Sequence, residues 1–445
     1  MNTSSSATLL IGRTERMVAG ARWLQREAGS TATSTYAASD ALFVAGSWGR
    51  TLFTSEQSGN SGAGGGGTLS VWKVALSDIS RLSRHALKAA TSGRARLNSK
   101  LPLECLAEIE LDNGADVTDV QALGSTRVIA ATNAGRVEAF SLGPNEAGDG
   151  VEIVRNSSIL AHRHYISSSS SSAKPAMVTA LAVQPVVAHQ SRGNMPETTE
   201  SSYDPEIASV GSDGRLVFTK PFSSSDVVDH YVADQSTLND VAWITSTQLA
   251  VATSGGLIKL FDRRQPNQPI ESRKRIDFGS QVIKPFQVFT HPVKDRFAQL
   301  GTSVTCLDVH KFQANLIATG DNHGTVLLWD MRNASEPVLS SEQHEQTAYR
   351  VMMDKSMDAE MGVAVKSVMF HPNHASQLFV SFADGTCSVI DWTKKNSIDE
   401  KLPMQVTLRN SRSVLPVNSL DYHRQSQTLL CGSDGESVLA WQGNL

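Results

Sequence analysis

One unit recurs along the chain: an apolar run, a short polar turn carrying glycine, and a second apolar run that ends near an aromatic. Six copies read IAATNAGRVEAF (129–140), IASVGSDGRLVF (207–218), LAVATSGGLIKLFD (249–262), LIATGDNHGTVLLWD (316–330), LFVSFADGTCSVIDW (378–392) and LLCGSDGESVLAW (429–441). A diverged first copy reads LFVAGSW (42–48) and then TLSVWKV (68–74), with a Gly-rich insert in place of the turn. Internal repetition of this kind restricts the fold more than any composition does, because each unit must bury its faces on its neighbours.

Each copy reads as a β-hairpin. Val, Ile, Leu, Thr and Phe fit pleated, half-buried strands. The turn glycines Gly135, Gly214, Gly256, Gly324, Gly385 and Gly435 are expected to supply the positive φ of a tight hairpin. A short apolar segment precedes each hairpin: VTDVQAL (117–123), MVTALAVQP (177–185), LNDVAWI (238–244), VTCLDVH (304–310), VKSVMFHP (365–372) and VNSLDYH (417–423). A further strand follows, as in LAEIEL (106–111) and VEIVRN (151–156). Four short strands per repeat make a propeller blade. Nothing in the chain has the helical period that a parallel α/β sheet would need between strands. The expectation is an all-β, seven-bladed propeller forming a single domain over 1–445.

The ends give the closure. The last copy stops at Trp441, with an inner strand and a hairpin but no outer strand. The first copy begins near Val18, behind an orphan strand, ATLLIGR (7–13). Residues 7–13 are therefore expected to complete the last blade and remove an exposed sheet edge.

Several segments fit no blade and read as loop inserts: 55–67, 78–100, 165–175, 188–204 and 342–363. The first is a Gly/Ser linker. The second carries Arg81, Arg84, Lys88, Arg94, Arg96 and Lys100 with no acid after Asp78. It reads as a solvated loop, or as a nuclear-localisation-like patch or contact with an acidic partner. A second basic cluster (Arg263, Arg264, Arg273, Lys274, Arg275) lies in 262–278, the serine run Ser167–Ser172 lies in an exposed loop, and the last insert carries four methionines.

Chemistry is sparse. There is no P-loop, no GxSxG, no HExxH and no paired metal-ligand spacing, so no catalytic residue, cofactor or metal is assigned, and the reading is a non-enzyme. His162 and His164 in AHRHY share a strand face but have no third ligand near them in sequence. His310, His371 and His423 recur after inner strands, and Asp321, Asp384 and Asp434 recur at turns. Recurrence marks them as architecture: backbone-bonding histidines and Asx-type turn carboxylates. The four cysteines, Cys105, Cys306, Cys387 and Cys431, are far apart and read as buried reduced thiols of an intracellular protein. The net charge of -4 counts against direct nucleic-acid binding. No apolar run is long enough to span a bilayer, and the N-terminus lacks the pattern of a secretory leader.

The order of the copies and their residues resemble the nucleoporin-43 family, small WD-repeat members of the nuclear pore's Y-shaped outer-ring complex. The resembling stretches are Arg22-Trp23, AGSW (45–48), LSVWKV (69–74), DVTDVQAL to RVEAF (116–140) and Ala161-His162 with Tyr165. They continue through PEIASVGSDGRLVF (205–218), STLNDVAWI to LFDRRQ (236–265), IATGDNHGTVLLWDMR (317–332), FHPNHASQLFVSFADG (370–385) and VNSLDYH to GSDGES (417–437). The resemblance implies a structural scaffold supporting nucleocytoplasmic transport of mRNA and protein. It implies docking on a helical-solenoid short-arm nucleoporin at the nuclear envelope rim, and presence at kinetochores in mitosis. The Gly-rich insert, the basic insert 78–100 and the serine run depart from the family and put contacts through those loops in doubt. A rival reading is a substrate receptor of a cullin-4 ubiquitin ligase, a role that often shows a WD-x-R hairpin end. Trp329-Asp330-Met331-Arg332 matches it, and Phe261-Asp262-Arg263-Arg264 is a near match. The partner-binding candidates of that reading are Trp329, Asp330, Arg332 and Arg264.

Overall fold

In a computed structural model the described strands assemble into seven blade sheets, five of four strands and two of five, arranged as the blades of a propeller. The structure describes residues 7–8, 10–13, 17–24, 40–48, 66–75, 78–79, 103–111, 114–146, 150–164, 174–185, 204–224, 226–265, 281–292, 301–313, 315–333, 337, 339–342, 363–392, 404–409 and 415–442. Most of each loop insert, including the basic residues of 78–100, the second basic cluster beyond Arg264, the serine run and the Met-containing insert, lies outside the described residues.

Blade 1 runs Met17–Leu24, Asp40–Trp48, Thr68–Ala75 and Glu104–Glu110. Blade 2 runs Val117–Leu123, Arg127–Thr132, Arg136–Pro144 and Val151–Leu160. Blade 3 runs Val178–Val183, Ile207–Gly211, Arg215–Thr219 and Val227–Val232. Blade 4 runs Leu238–Trp243, Gln248–Thr253, Leu257–Asp262 and Gln287–Thr290. Blade 5 runs Val304–Val309, Leu316–Asp321, Thr325–Asp330 and Leu339–Glu342. Blade 6 runs Val365–Phe370, Gln377–Phe382, Thr386–Asp391 and Met404–Arg409. Blade 7 has Val417–His423, Thr428–Ser433 and Ser437–Gln442, and takes its outer strand from Leu10–Arg13.

The closing strand divides its seven residues. Leu10–Arg13 pairs antiparallel with Ser437–Ala440, completing blade 7. Ala7–Thr8 instead runs parallel to Leu408–Arg409 and adds a fifth strand to blade 6. Blade 3 gains a fifth strand in the same way, when Gln281–Val282 pairs in parallel with Tyr231–Val232.

The core lies between the blades. Seven apolar clusters each join two neighbours, one for every junction of the ring. At the closing junction Val18, Trp23 and Phe43 of blade 1 pack on Leu430, Val438 and Ala440 of blade 7. Between blades 3 and 4, Phe218 lies 5.9 Å from Trp243. Each fully buried aromatic or aliphatic side chain contributes about 1.5–3 kcal/mol, so no blade is stable without both neighbours.

Three expectations are corrected in detail. Five of the turn glycines have positive φ, but Gly435 does not; Glu436 takes that role at φ 51. The GSDG of blade 7 is framed one residue later than the GSDG of blade 3, because strand Thr428–Ser433 extends through the serine. Second, Gly66 and Gly67, the end of the expected linker, are buried, and a Cβ on Gly67 would sit 2.4 Å from the Ser47 carbonyl oxygen. Ile79, at the start of the basic insert, is likewise buried in the core. Third, Cys306, Cys387 and Cys431 are buried free thiols, whereas Cys105 is exposed, because it sits on an outer strand with solvent on one side.

Candidate functional site: the central channel and the blade ends

The seven inner strands surround a channel with a cavity of about 780 Å³. Each inner strand has an edge that faces this channel, with backbone N–H and C=O groups that no sheet partner can reach. A buried strand edge left unpaired is costly, so these groups need side-chain partners.

The sequence supplies them in two layers. All seven inner strands carry a β-bulge, after the first residue in six of them and after the second, Val18, in blade 1. A bulge turns one side chain out of the alternating pattern. In blades 3, 4, 5 and 7 it aims the bulged residue at the next blade. Thr179 donates to the Leu238 carbonyl at 2.5 Å, Asn239 to Val304 at 2.7 Å, Thr305 to Val365 at 2.7 Å and Asn418 to Val18 at 3.2 Å. The second layer consists of aspartates. Asp119 accepts from Leu181 N at 3.0 Å, Asp240 from Leu307 N at 2.8 Å, Asp308 from Phe370 N at 2.8 Å and Asp421 from Trp23 N at 2.7 Å. Each also accepts from the N–H of the residue that follows it. The carboxylates are thus inter-blade latches, four around one ring.

Clustering has an electrostatic cost. Burial pushes Asp240 up to about 7, and the charges of Asp119 and Asp308 add to the rise against the two N–H donors. Burial also raises Asp308. Arg22 offsets part of the charge, with Nη2 3.3 Å from Asp119 Oδ1. Sequence reasoning passed over these aspartates. Their signal was present: an aspartate followed by an apolar residue inside four inner segments, VTDVQ, LNDVA, CLDVH and SLDYH.

The His162 segment forms a different arrangement. Nδ1 of His162 lies 2.9 Å from Asp213 Oδ1, and Nε2 lies 3.0 Å from Ser209 Oγ. These are the atoms of a nucleophilic triad, but His162 and Ser209 are fully buried and Ser209 also donates to the Val217 carbonyl. Buried in this way, the three side chains tie the entry loop to the turn of blade 3. Burial alone would raise Asp213, yet His162 and the Arg215 amide hold it below the ordinary carboxylate value. His164 points elsewhere, exposed and 3.4 Å from Ser212 Oγ.

The recurring histidines do bond backbone. Nδ1 of His310 accepts from Phe312 N and Gln313 N, Nδ1 of His371 accepts from Asn373 N and His374 N, and Nδ1 of His423 accepts from Ser426 N. Accepting two amides demands a neutral ring, and burial and nearby His374 push His371 down to about 4. Asp321 and Asp384 accept the amides of their own turns, but Asp434 does not. Its Oδ1 accepts from Trp48 Nε1 at 3.0 Å and from Asn418, a contact across the closing junction that follows from the shifted turn.

The two hairpin ends superpose in their chemistry. Trp329 is buried, donates to Thr319 Oγ1 at 2.9 Å and lies 5.3 Å from Phe289, so it is a core residue. Asp330 accepts from Arg332 Nε at 2.9 Å, and Asp262 accepts from Arg264 Nε at 3.0 Å. Phe261 is buried in the place of the tryptophan. The side chains of Arg332 and Arg264 are 73% and 68% exposed, on equivalent ends of adjacent blades. Arg332 holds Asp330 down to about 2, and Arg264 holds Asp262 below the usual carboxylate range. Arg263 turns inward instead, to Glu206 and Asp229, and lies 4.3 Å above the Phe218 ring. Of the four candidates, then, the surface offers the two arginines.

Repeated hairpins, bulged inner strands and seven inter-blade cores define a WD-repeat β-propeller. The family described as WD domain, G-beta repeat matches residues 295–330, which cover most of blade 5. Along the chain there is similarity to Nucleoporin Nup43 of Homo sapiens, 26% identical over 352 residues, spanning 74% of this chain and 80% of that protein. Nucleoporin Nup43 of Mus musculus is 25% identical over 351 residues, with the same coverage. The chain is a Nup43-like WD-repeat protein.

Proposed function

We propose that this protein is a non-catalytic scaffold of the nuclear pore, working as a rigid binding disc within the Y-shaped complex. The observation that carries the reading is the extent of the Nup43 similarity, 74% of the chain, on a ring that needs every blade. A partial ring would not hold its shape. The threonines, asparagines and aspartates that join neighbouring blades around the channel support the same reading, since a ring locked in this way is a rigid platform. The partner is another nucleoporin, a helical solenoid of the short arm, and the location is the nuclear envelope rim. Presence at kinetochores rests on the family resemblance alone. Tagging the chromosomal copy and imaging interphase cells tests this: a punctate nuclear rim is expected, and a diffuse cytosolic signal would overturn it.

A second reading, recruitment to a cullin-4 ligase, is favoured by one observation. Arg332 and Arg264 present two exposed guanidiniums in matched geometry on neighbouring blades. Replacing both with Glu and testing capture of the ligase adaptor decides it. Undiminished capture by the double variant, or no capture by the wild type, removes this reading.

A further inference from the structure

Charge is divided unequally over one face of the disc. In each blade the inner and third strands run the same way, so the turn after the inner strand and the loop after the third leave on that face. Backbone bonds tie the two together, Met331 N to the Asn315 carbonyl at 2.8 Å in blade 5 and Arg263 N to the Thr247 carbonyl at 2.9 Å in blade 4. Among the described side chains of blades 4 to 7 no Asp or Glu is exposed, while Arg264, Lys311, Arg332 and Arg424 are exposed on this face. Blade 2 presents exposed Glu146 and Glu152 there instead. Within the cationic sector, on blade 5, stands Phe312, 64% exposed and more so than any other large apolar residue described. Its turn is fixed from beneath. Phe312 N and Gln313 N both donate to Nδ1 of buried His310, and Nε2 of His310 donates to the Ala375 carbonyl of blade 6 at 3.0 Å.

We propose that this face of blades 4 to 7, centred on Phe312, is a docking site for an acidic segment of a partner protein. An apolar side chain of that segment packs on Phe312, and its carboxylates meet Lys311 beside the ring and Arg332 at the end of the same blade. An aromatic ring held on a pre-formed turn is a good anchor, because little ordering is left to be done on binding. The sign of the occupant follows from the exposed charges, all of one kind in this sector. Lys311 and Arg424 also line the channel mouth, nearer this face than Asp308 and Asp421. Those two carboxylates lie behind the cations and each already accepts two backbone amides. A nucleic-acid strand suits the face less. Arg332 and Arg264 are already bound by Asp330 and Asp262, which leaves few cations for a run of phosphates. This goes beyond the pore reading, because it names the face and the occupant's chemistry whichever protein supplies it.

The test uses the full chain and a fluorescein-labelled, glutamate-rich synthetic peptide with one central phenylalanine, titrated by fluorescence anisotropy. The acidic peptide should bind, and a lysine-rich peptide of the same design should not. Phe312→Ala should weaken binding about tenfold by removing the anchor, and Lys311→Glu about tenfold by reversing the charge beside it. Both sites are exposed, so the melting temperatures of the two variants should match the wild type. Lys366→Glu, at an exposed site on the opposite face, should leave binding unchanged. In the unmodified chain, saturating peptide should slow backbone amide exchange in the turn 310–313. The proposal is overturned by absence of binding, by equal binding to Phe312→Ala, or by an equal loss in Lys366→Glu. Equal binding of the lysine-rich peptide, or tighter binding of a labelled oligouridine than of the acidic peptide, overturns it as well.

Discussion

Replacing Asp421 with Ala tests the latch at the seam where the chain's two ends meet. Oδ1 of Asp421 accepts from Tyr422 N at 2.8 Å within blade 7, and Oδ2 accepts from Trp23 N at 2.7 Å in blade 1. Alanine leaves both amides without their carboxylate. Bonds from an amide to a charged acceptor are worth about 1.5–3 kcal/mol each in a dry site. The channel admits water to Asp421, which is half-buried, so about 1–2 kcal/mol per bond is the better figure and the loss should be about 2–4 kcal/mol. The Asn variant keeps one good acceptor and should lose about half of that. Urea unfolding of the full chain, followed by tryptophan fluorescence, reads the difference as a midpoint shift at constant slope. A midpoint for the Ala variant within about 0.5 kcal/mol of the wild type would refute the reasoning, because surface substitutions already scatter that far.

Deleting residues 1–14 should lower the melting temperature markedly, since it strips the four pairs that Leu10–Arg13 makes with Ser437–Ala440; an unchanged melt ends the closure account. Combined with Asp421→Ala, the deletion should cost less than the sum by at least about 1 kcal/mol, because both open one seam. Glu436→Gly should stabilise by about 0.5–1 kcal/mol by relieving a positive φ, whereas Gly214→Ala should destabilise, its Cβ meeting the Asp234 carbonyl oxygen at 2.2 Å; paired thermal melts give both signs. Asp240 has a folded pKa of about 7 against an ordinary 3.8, so the native state holds the extra proton between those values and stability falls as pH rises through that window. The full linkage would be about 4 kcal/mol, and channel water reduces it to about 2 kcal/mol. Asp240→Asn should flatten that slope, and an unaltered slope in a pH series of urea midpoints would assign it to other groups.

The blades were legible because their evidence is local. Alternating apolar residues and a turn glycine, as in IASVGSDGRLVF, specify a hairpin within a dozen residues. The missing outer strand of the last blade and the spare strand before the first could be matched from sequence order alone. What failed was framing. GSDG occurs at 211–214 and again at 432–435, and only the strand ends decide which residue turns left-handed. The latches left a sequence pattern, but what each aspartate bonds was illegible for a deeper reason. Asp421 and Trp23 N are 398 residues apart, and His162 and Asp213 are 51 apart. Such roles exist only after the inner strands have been placed round one channel. The hairpin-end arginines lie between these cases: the motif was readable, but that Trp329 faces the core while Arg332 faces solvent is a property of the packed blade.

Affinity purification of the endogenously tagged chain, with quantitative mass spectrometry of the eluate, tests the central claim most directly. A scaffold of the pore should carry other nucleoporins with it in near-stoichiometric amounts, a helical-solenoid one foremost. An eluate without nucleoporins, from cells in which the tagged chain is folded and at its normal level, would contradict the account.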